Sequence, residues 1–492
     1  MTAALRRGAR RLPLVLSRAH DSPPPLTTTP SSPPSQTPSM APPQPRNLHS
    51  SSRRTTTMTS SSNHPPAMDP ATRAPLSVLP LPMLLRSLLT AAVSSSPLLL
   101  PPSLRVMSLL AHSTSPLLNP DRNVLLRWAI KKSFYAQFCA GENGHEVGRK
   151  IADLKQIGFH GVMLCYAREV VLTEKQAKDL ADGKSIEETE DCISSQIVPW
   201  MEGSLKSVRM AEPGDFVAIK FTGAGSLALH NLAKRLPPSP FLSEAIDSIC
   251  QLAHERGVRL AIDAEQDSLQ AGIDDWTMTY ARKYNNQAGK ATVYCTYQAY
   301  KKCVPAVLSQ HLALAQKEGF ALGVKLVRGA YLGSDPRHLF HDTKGDTDNC
   351  YDSLAASVLT RQWSDSVPGQ GEYPEVQLVL ATHNAESVQR ARAICEAGGA
   401  KTKVAFAQLL GMADEVSCEL LEASRAAKEI SGASAPALPV YKYLCWGTTG
   451  ECMKYLHRRA QENKDAVQRT RHDRDATWAE LMRRCRNLLG MA

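Results

Sequence analysis

Apolar and polar positions follow no regular period until about Asn119. Beyond it, short apolar runs alternate with longer stretches whose apolar residues recur every third and fourth position. The short runs, near residues 160–166, 216–220, 258–263, 293–298, 322–328, 378–383, 404–408 and 440–445, have the length of buried strands. The stretches between them, such as 241–256, 299–319 and 387–398, read as amphipathic helices. Alternating buried strands and helices imply a parallel sheet. Eight such units predict an α/β fold closed as a distorted (βα)8 barrel rather than an open sheet. Most runs finish on a polar side chain: Lys220, Asp263, Gln298, Arg328, His383, Gln408 and Tyr443. A buried strand has no packing reason to end so repeatedly, and in a barrel these ends surround one mouth.

Composition separates the N-terminal quarter from this body. The first 120 residues hold 22 of the 33 prolines, none of the 12 cysteines, eleven Arg, no Lys and only two acids, Asp21 and Asp69. They carry +9 of the formal charge of +10, so the folded body is nearly neutral and a nucleic-acid partner is not expected. Residues 1–20 are acid-free, rich in leucine and studded with Arg6, Arg7, Arg10, Arg11 and Arg18, the pattern of an amphipathic mitochondrial presequence. The Ser/Thr/Pro runs of residues 22–72 offer too little apolar surface to offset their ordering entropy. From 74 to 112 the chain is leucine-rich but broken by prolines, Arg86 and Arg105, with no uninterrupted apolar window of about 18 residues. Short helices at 82–93 and 102–112 either pack on the body or lie on a membrane surface. The expected division is a presequence and leader at 1–73, N-terminal helices at 74–118, a barrel at 119–475 and a C-terminal helix at 476–492.

Several motifs carry candidate chemistry. Gly223-Ala224-Gly225-Ser226-Leu227-Ala228 resembles a dinucleotide fingerprint, but the next acidic strand end, Asp263, is about twice as far along as the expected 20 residues, so a flexible loop over the mouth is the better reading. Asp263 can orient a cation or accept a hydrogen bond from a residue such as Tyr443. No His/Asp/Glu group has ligand spacing, so no metal is expected. In the run from Val324 to Tyr331, Lys325 and Arg328 flank two apolar residues and precede Gly329 and Ala330, a combination suited to a large planar or phosphorylated ligand. On the late helix Tyr455 and Arg458 face alike, as do Arg459 and Glu462. Adjacent guanidinium groups at a barrel mouth make a fork for a small carboxylate. Twelve cysteines without close pairs suit a reducing compartment.

Six ordered motifs, Asp263-Ala264-Glu265-Gln266, Tyr297-Gln298-Ala299-Tyr300, Leu326-Val327-Arg328-Gly329-Ala330-Tyr331, Ala381-Thr382-His383-Asn384, Gln408-Leu409-Leu410-Gly411-Met412 and Tyr455-x-x-Arg458-Arg459-x-x-Glu462-Asn463, resemble the signatures of the proline dehydrogenase family over residues 119–474. The resemblance implies an FAD-bearing barrel that oxidises L-proline to Δ1-pyrroline-5-carboxylate by hydride transfer to the flavin and passes electrons to a membrane quinone. It also implies a mitochondrial protein, in the matrix or peripherally associated with the inner membrane. Residue by residue, it makes Lys220, Arg458 and Arg459 the carboxylate clamp and lets Tyr331, Ala330, Leu409, Tyr443 and Tyr455 shape the ring pocket. Asp263, Lys325 and Tyr443 become catalytic candidates. Gln298, Lys325, Arg328, Gly329, Ala330, Thr382 and His383 become flavin contacts. Lys325 stands where some relatives carry Arg, and a lysine cannot reproduce a planar fork. The insert at 173–215 has least counterpart in the family pattern. Two other readings stay open at this level: a Schiff-base lyase using Lys220 or Lys325, and a catalytically inert barrel.

Overall fold

The eight strands form where the periodicity puts them: β1 (Gly161–Tyr166), β2 (Phe216–Ile219), β3 (Arg259–Ile262), β4 (Val293–Gln298), β5 (Leu322–Val327), β6 (Val376–Ala381), β7 (Lys403–Leu409) and β8 (Val440–Trp446). In this computed structural model the described residues are 74–168, 188–287, 289–431, 438–462 and 467–490. The expected presequence and leader lie outside them, as does the first part of the 173–215 insert. Each strand pairs in parallel with its sequence neighbours, and β1 closes on β8 with Met163 opposite Tyr443, giving a sealed barrel. Lys220, Asp263 and Arg328 fall just past the last residues of their strands. They end the ladder and begin the mouth.

The two-residue period of the strands sorts side chains into two layers. Outward positions such as Leu164, Val217, Leu260, Leu326, Leu378 and Phe406 pack beneath the surrounding helices. Inward positions form a separate column. Its floor is aromatic: Phe216, Tyr294 and Tyr441 meet edge to face, and the Arg259 guanidinium lies 3.7 Å over the Phe216 ring and donates to the Tyr441 hydroxyl at 2.7 Å. Ala218, Ala261, Ala405 and Ala407 fill the middle with small groups. Two residues further along β2, β3 and β8 the same parity delivers Lys220, Asp263 and Tyr443, and on β5 it delivers Lys325.

The segment expected as a flexible loop, Gly223 to Ala228, is regular and, apart from Ser226, buried. Phe221–Ala224 is a buried 3-10 turn, and the helix Ser226–Ala233 follows it directly. Small residues allow this: a Cβ on Gly223 would lie 2.6 Å from the Trp200 ring, and Gly225 has φ +101°. The Trp200 indole holds the turn by donating to the Lys220 carbonyl at 2.9 Å.

Before the barrel come helices α1 (Leu81–Ser95), α2 (Leu100–His112) and α3 (Val124–Ile130). α1 packs along the C-terminal helix Val467–Leu488 and α2 along Thr449–Glu462, with a bend of 108° between them. Arg484 fastens the start of this layer by donating to the carbonyls of Leu76, Ser77 and Leu79 at 2.9–3.3 Å. The C-terminal helix runs unbroken from Val467 to Leu488, so the boundary expected at residue 475 falls inside it.

At the opening of β1, Asp215 accepts backbone hydrogen bonds from Val162 (3.0 Å) and Glu212 (2.9 Å). A Cβ on Gly161 would overlap the Asp215 carboxylate and come within 2.8 Å of the Tyr441 ring. Gly161→Ala is therefore expected to cost about 1–3 kcal/mol in urea unfolding, the usual range for overpacking a dense site. A loss below about 0.5 kcal/mol, typical of an indifferent surface position, would contradict this packing.

Candidate active site

One carboxylate organises the mouth. Asp263, 6% exposed at the end of β3, receives the Lys325 ammonium from β5 on one oxygen. On the other it receives the Lys220 ammonium from β2 at 3.2 Å and the Tyr443 hydroxyl from β8 at 2.9 Å. Burial by itself would raise the Asp263 pKa. The charges of Lys325 and Lys220 and the hydrogen bonds from Lys325 and Tyr443 outweigh it, holding the carboxyl well below the usual range. Burial likewise opposes the charge on Lys220, yet Asp263, followed by Tyr331 and Glu265, raises its pKa well above the ordinary value. Tyr443 is pushed up by burial and by the Asp263 charge, so it remains a protonated donor. The hydrogen bond from Tyr443 that the sequence allows is thus present, within a larger cluster than the sequence indicates.

A second group gathers beside this cluster. Tyr455 is buried on the helix Thr449–Glu462, and the Arg459 guanidinium lies 5.6 Å over its ring, an i, i+4 pairing. Burial raises the Tyr455 pKa, and the positive charges of Arg459 and Lys220 both act on it, placing these groups in one electrostatic neighbourhood. Tyr331 is raised by burial and feels the same two cations. Leu409 is half-buried at the end of β7, and Arg458 is half-buried one position before Arg459. The side chain of Glu462, expected to brace Arg459, lies outside the described residues, as does Asn463.

The candidate flavin contacts occupy the ends of three consecutive strands, β4, β5 and β6. Gln298 donates to the Glu265 carbonyl at 3.2 Å and accepts from Tyr300 at 3.2 Å. Arg328 points outward from the column, donating to Asp348 at 2.8 and 3.0 Å, to Thr382 at 2.5 Å and to Ser387 at 2.8 Å. His383 accepts the Leu409 backbone N–H at Nε2, 3.1 Å away, which ties the ends of β6 and β7 together. At Gly329, φ +138°, a Cβ would collide with the Tyr300 ring, so the small residue is needed for that ring's packing. Amide, guanidinium, hydroxyl and imidazole groups side by side on one arc fit the polar, phosphate-bearing chain of FAD. Gln298, Arg328, Thr382 and His383 are the residues that would hold it.

Sequence reasoning separates these roles incompletely. Gln408 is structural: it is buried, donates to the Thr382 carbonyl at 3.3 Å and accepts from Ser417 at 3.0 Å. Its position beside inward-facing Leu409 and Ala407 gives it outward parity, a signal legible once the strand register is fixed. Glu265, accepting from the Thr222 hydroxyl at 2.5 Å, and Asp348 and Ser387, which orient Arg328, were not singled out. Nor was the buried cluster of Cys139, Cys445 and Cys452 around Tyr135, in which Cys139 is remote in sequence from the other two and none is bridged.

A family model described as proline dehydrogenase matches residues 147–472. A probable mitochondrial proline dehydrogenase of Schizosaccharomyces pombe is 29% identical over 402 residues, 72% of this chain and 79% of the relative. The mitochondrial proline dehydrogenase 1 of Caenorhabditis elegans is 33% identical over 243 residues, 48% of this chain but 37% of the relative, so the match spans well under half of that longer protein. A hydroxyproline dehydrogenase of Xenopus laevis is 29% identical over 401 residues, 74% of this chain and 80% of the relative. Among solved structures, proline utilization A from Bdellovibrio bacteriovorus, inactivated by N-propargylglycine, superposes with a TM-score of 0.52 at 19% identity, over 74% of this chain and 37% of that one. That likeness concerns the fold.

Asp263→Asn tests the cluster. Leaving two buried ammonium groups around a neutral amide is expected to cost about 3–5 kcal/mol at neutral pH. A depressed carboxyl pKa contributes stability above the unfolded value, about 4, and loses it as pH falls toward the folded value. The stability gap between the parent and Asp263→Asn, read by chemical denaturation, should therefore be constant above about pH 4 and narrow below it. A gap that widened on acidification would refute the assignment.

Proposed function

The chain belongs to the proline dehydrogenase family, and we propose that it oxidises L-proline to Δ1-pyrroline-5-carboxylate in mitochondria, with FAD as cofactor and a membrane quinone as electron acceptor. The observation that carries this reading is the buried Lys220–Asp263–Lys325 cluster beside Tyr443, Tyr455 and Arg459. Buried charge of this kind adds little to stability compared with apolar packing, and its gathering at a barrel mouth has the character of a binding site for a small charged molecule. The mitochondrial names of relatives and the Arg-rich start of the chain support the location.

The residues divide the work. Arg458, Arg459 and Lys220 hold the substrate carboxylate, the guanidinium pair giving direction and the lysine giving charge. Asp263 keeps Lys220 protonated and fixes it and Lys325 in position. Tyr443, its hydroxyl committed to Asp263, presents its ring to the pocket, and Tyr331, Tyr455 and Leu409 complete the apolar wall and exclude water. FAD, when bound, supplies the two-electron acceptor for the hydride leaving proline C5. Asp263 is held ionised by two cations and is a poor proton acceptor, so the substrate nitrogen enters as the neutral amine whose lone pair forms the C=N bond, and the N–H proton of the resulting iminium is released to water. No protein nucleophile is required. Positioning, which removes the entropy of a diffusive encounter, is the main contribution of the chain.

A Schiff-base role is disfavoured for Lys220, because a nucleophilic amine needs a lowered pKa and Asp263 drives that of Lys220 upward, and the Lys325 ammonium is also held on Asp263.

Arg458→Met and Arg459→Met, assayed with a soluble dye acceptor, are each expected to raise the KM for L-proline at least about tenfold while leaving flavin content unchanged, as loss of a charge-assisted carboxylate contact requires. Unaltered proline kinetics in both variants would remove the clamp.

A further inference from the structure

The exposed apolar surface is concentrated in one place. Of the 17 large hydrophobic residues exposed among the described residues, 12 lie between Leu81 and Trp128, on α1, α2, α3 and their connections. Leu98 is 83% exposed, Leu125 80%, Leu117 75% and Trp128 64%. Patches of this kind on a folded protein mark a binding surface.

Charge on the same segment has one sign. Residues 74–141 contain six cations and a single acid, Asp121, and one of the six, Lys131, is paired with Glu142 and Glu146 just beyond the segment. The Asp121 carboxylate faces the body, accepting from Gly450 N–H at 2.8 Å and the Thr448 hydroxyl at 3.2 Å, whereas Arg105, Arg122 and Lys132 are exposed. Leucines and a tryptophan interspersed with arginine and lysine compose a surface that rests in a lipid headgroup layer. Among the described residues no single helix is long and apolar enough to cross a membrane. The inner faces of α1 and α2 are taken up by the two C-terminal helices, so only the outer faces are available.

A cavity of about 530 Å³ lies under this layer. Leu89 and Val106, both exposed, line its outer part, and Leu409, Tyr455 and Arg459 line its inner part. It therefore connects the apolar face with the edge of the candidate active site.

We propose that the outer face of α1–α3 seats the protein on an anionic lipid bilayer, with the cavity opening toward the lipid as the way in for a hydrophobic quinone. The docking step stands on the surface alone. The role of the cavity rests on the function proposed above and names where a lipid-borne acceptor meets the chain.

The test is sedimentation of the full-length holoprotein with vesicles of equal parts phosphatidylcholine and cardiolipin, compared with phosphatidylcholine alone. A variant carrying Leu98→Ser, Leu117→Ser and Leu125→Ser is compared with the parent. The parent is expected to bind the mixed vesicles more tightly than the neutral ones, and the triple variant to bind the mixed vesicles about a hundredfold more weakly. Both should oxidise proline equally with a soluble dye, while the variant alone loses activity with a long-tailed quinone supplied in the vesicles. Equal vesicle binding by parent and variant would transfer the interaction to the basic leader and overturn the proposal. So would a parent that ignores vesicles but forms an oligomer that the three serines dissolve, which would assign the face to a second copy. If vesicle binding behaves as expected but neither protein oxidises proline with the dye, docking stands and the enzymatic reading fails.

Discussion

A single buried carboxylate shared by two ammonium groups and a phenol sets the requirements for the rest of this barrel. Asp263 can remain charged out of water only if β2, β5 and β8 bring Lys220, Lys325 and Tyr443 to it, and these strands meet only when the sheet is closed. The inward column answers that demand from below. Phe216, Tyr294 and Tyr441 seal the floor and fix the inward parity of their strands, and above them the alanines, with Met163 and Val379, fill the middle of the column. A one-residue slip of any of these strands would turn its polar terminus toward the helices and strand a charge in the apolar layer.

The barrel is legible in the sequence because its strands are buried on both sides and so read as continuous apolar runs bounded by helical periodicity. The mouth is legible as a set of polar strand ends, but not as an arrangement. Lys220, Asp263 and Tyr443 continue the inward column, whereas Arg328 and Gln408 fall on the outward parity, and only the strand register distinguishes them. Glycines seen alone suggest looseness, which is why the Gly223 to Ala228 segment reads as a loop. In the fold, Trp200 and Gln196 occupy the space that side chains at Gly223 and Gly225 would need. Cys139, Cys445 and Cys452 are invisible as a group in a linear reading, since a crossing of more than 300 residues joins the first to the others. The N-terminal helices were legible as helices, while their division into an inner face on the body and an outer apolar face depends on the docking of the C-terminal helices.

The two halves of the mouth supply different chemistry. On the β4–β6 side, neutral and cationic donors are held in place by Glu265, Asp348 and Ser387, a rigid setting suited to a large cofactor. On the side of β2, β7, β8 and the late helix, cations and aromatic rings gather, and in the proposed function they receive the small zwitterion. The Asp263 cluster is the seam between them, so substrate and cofactor would each contact a wall that the other helps to define. The cavity beneath α1 and α2 reaches the second half, where Leu409, Tyr455 and Arg459 line it.

The most direct measurement is an anaerobic visible absorption spectrum of the purified full-length chain before and after addition of L-proline. The account predicts a yellow protein whose oxidised flavin band bleaches on mixing and returns when a quinone is admitted. A flavin-loaded protein whose spectrum is unmoved by L-proline would contradict it.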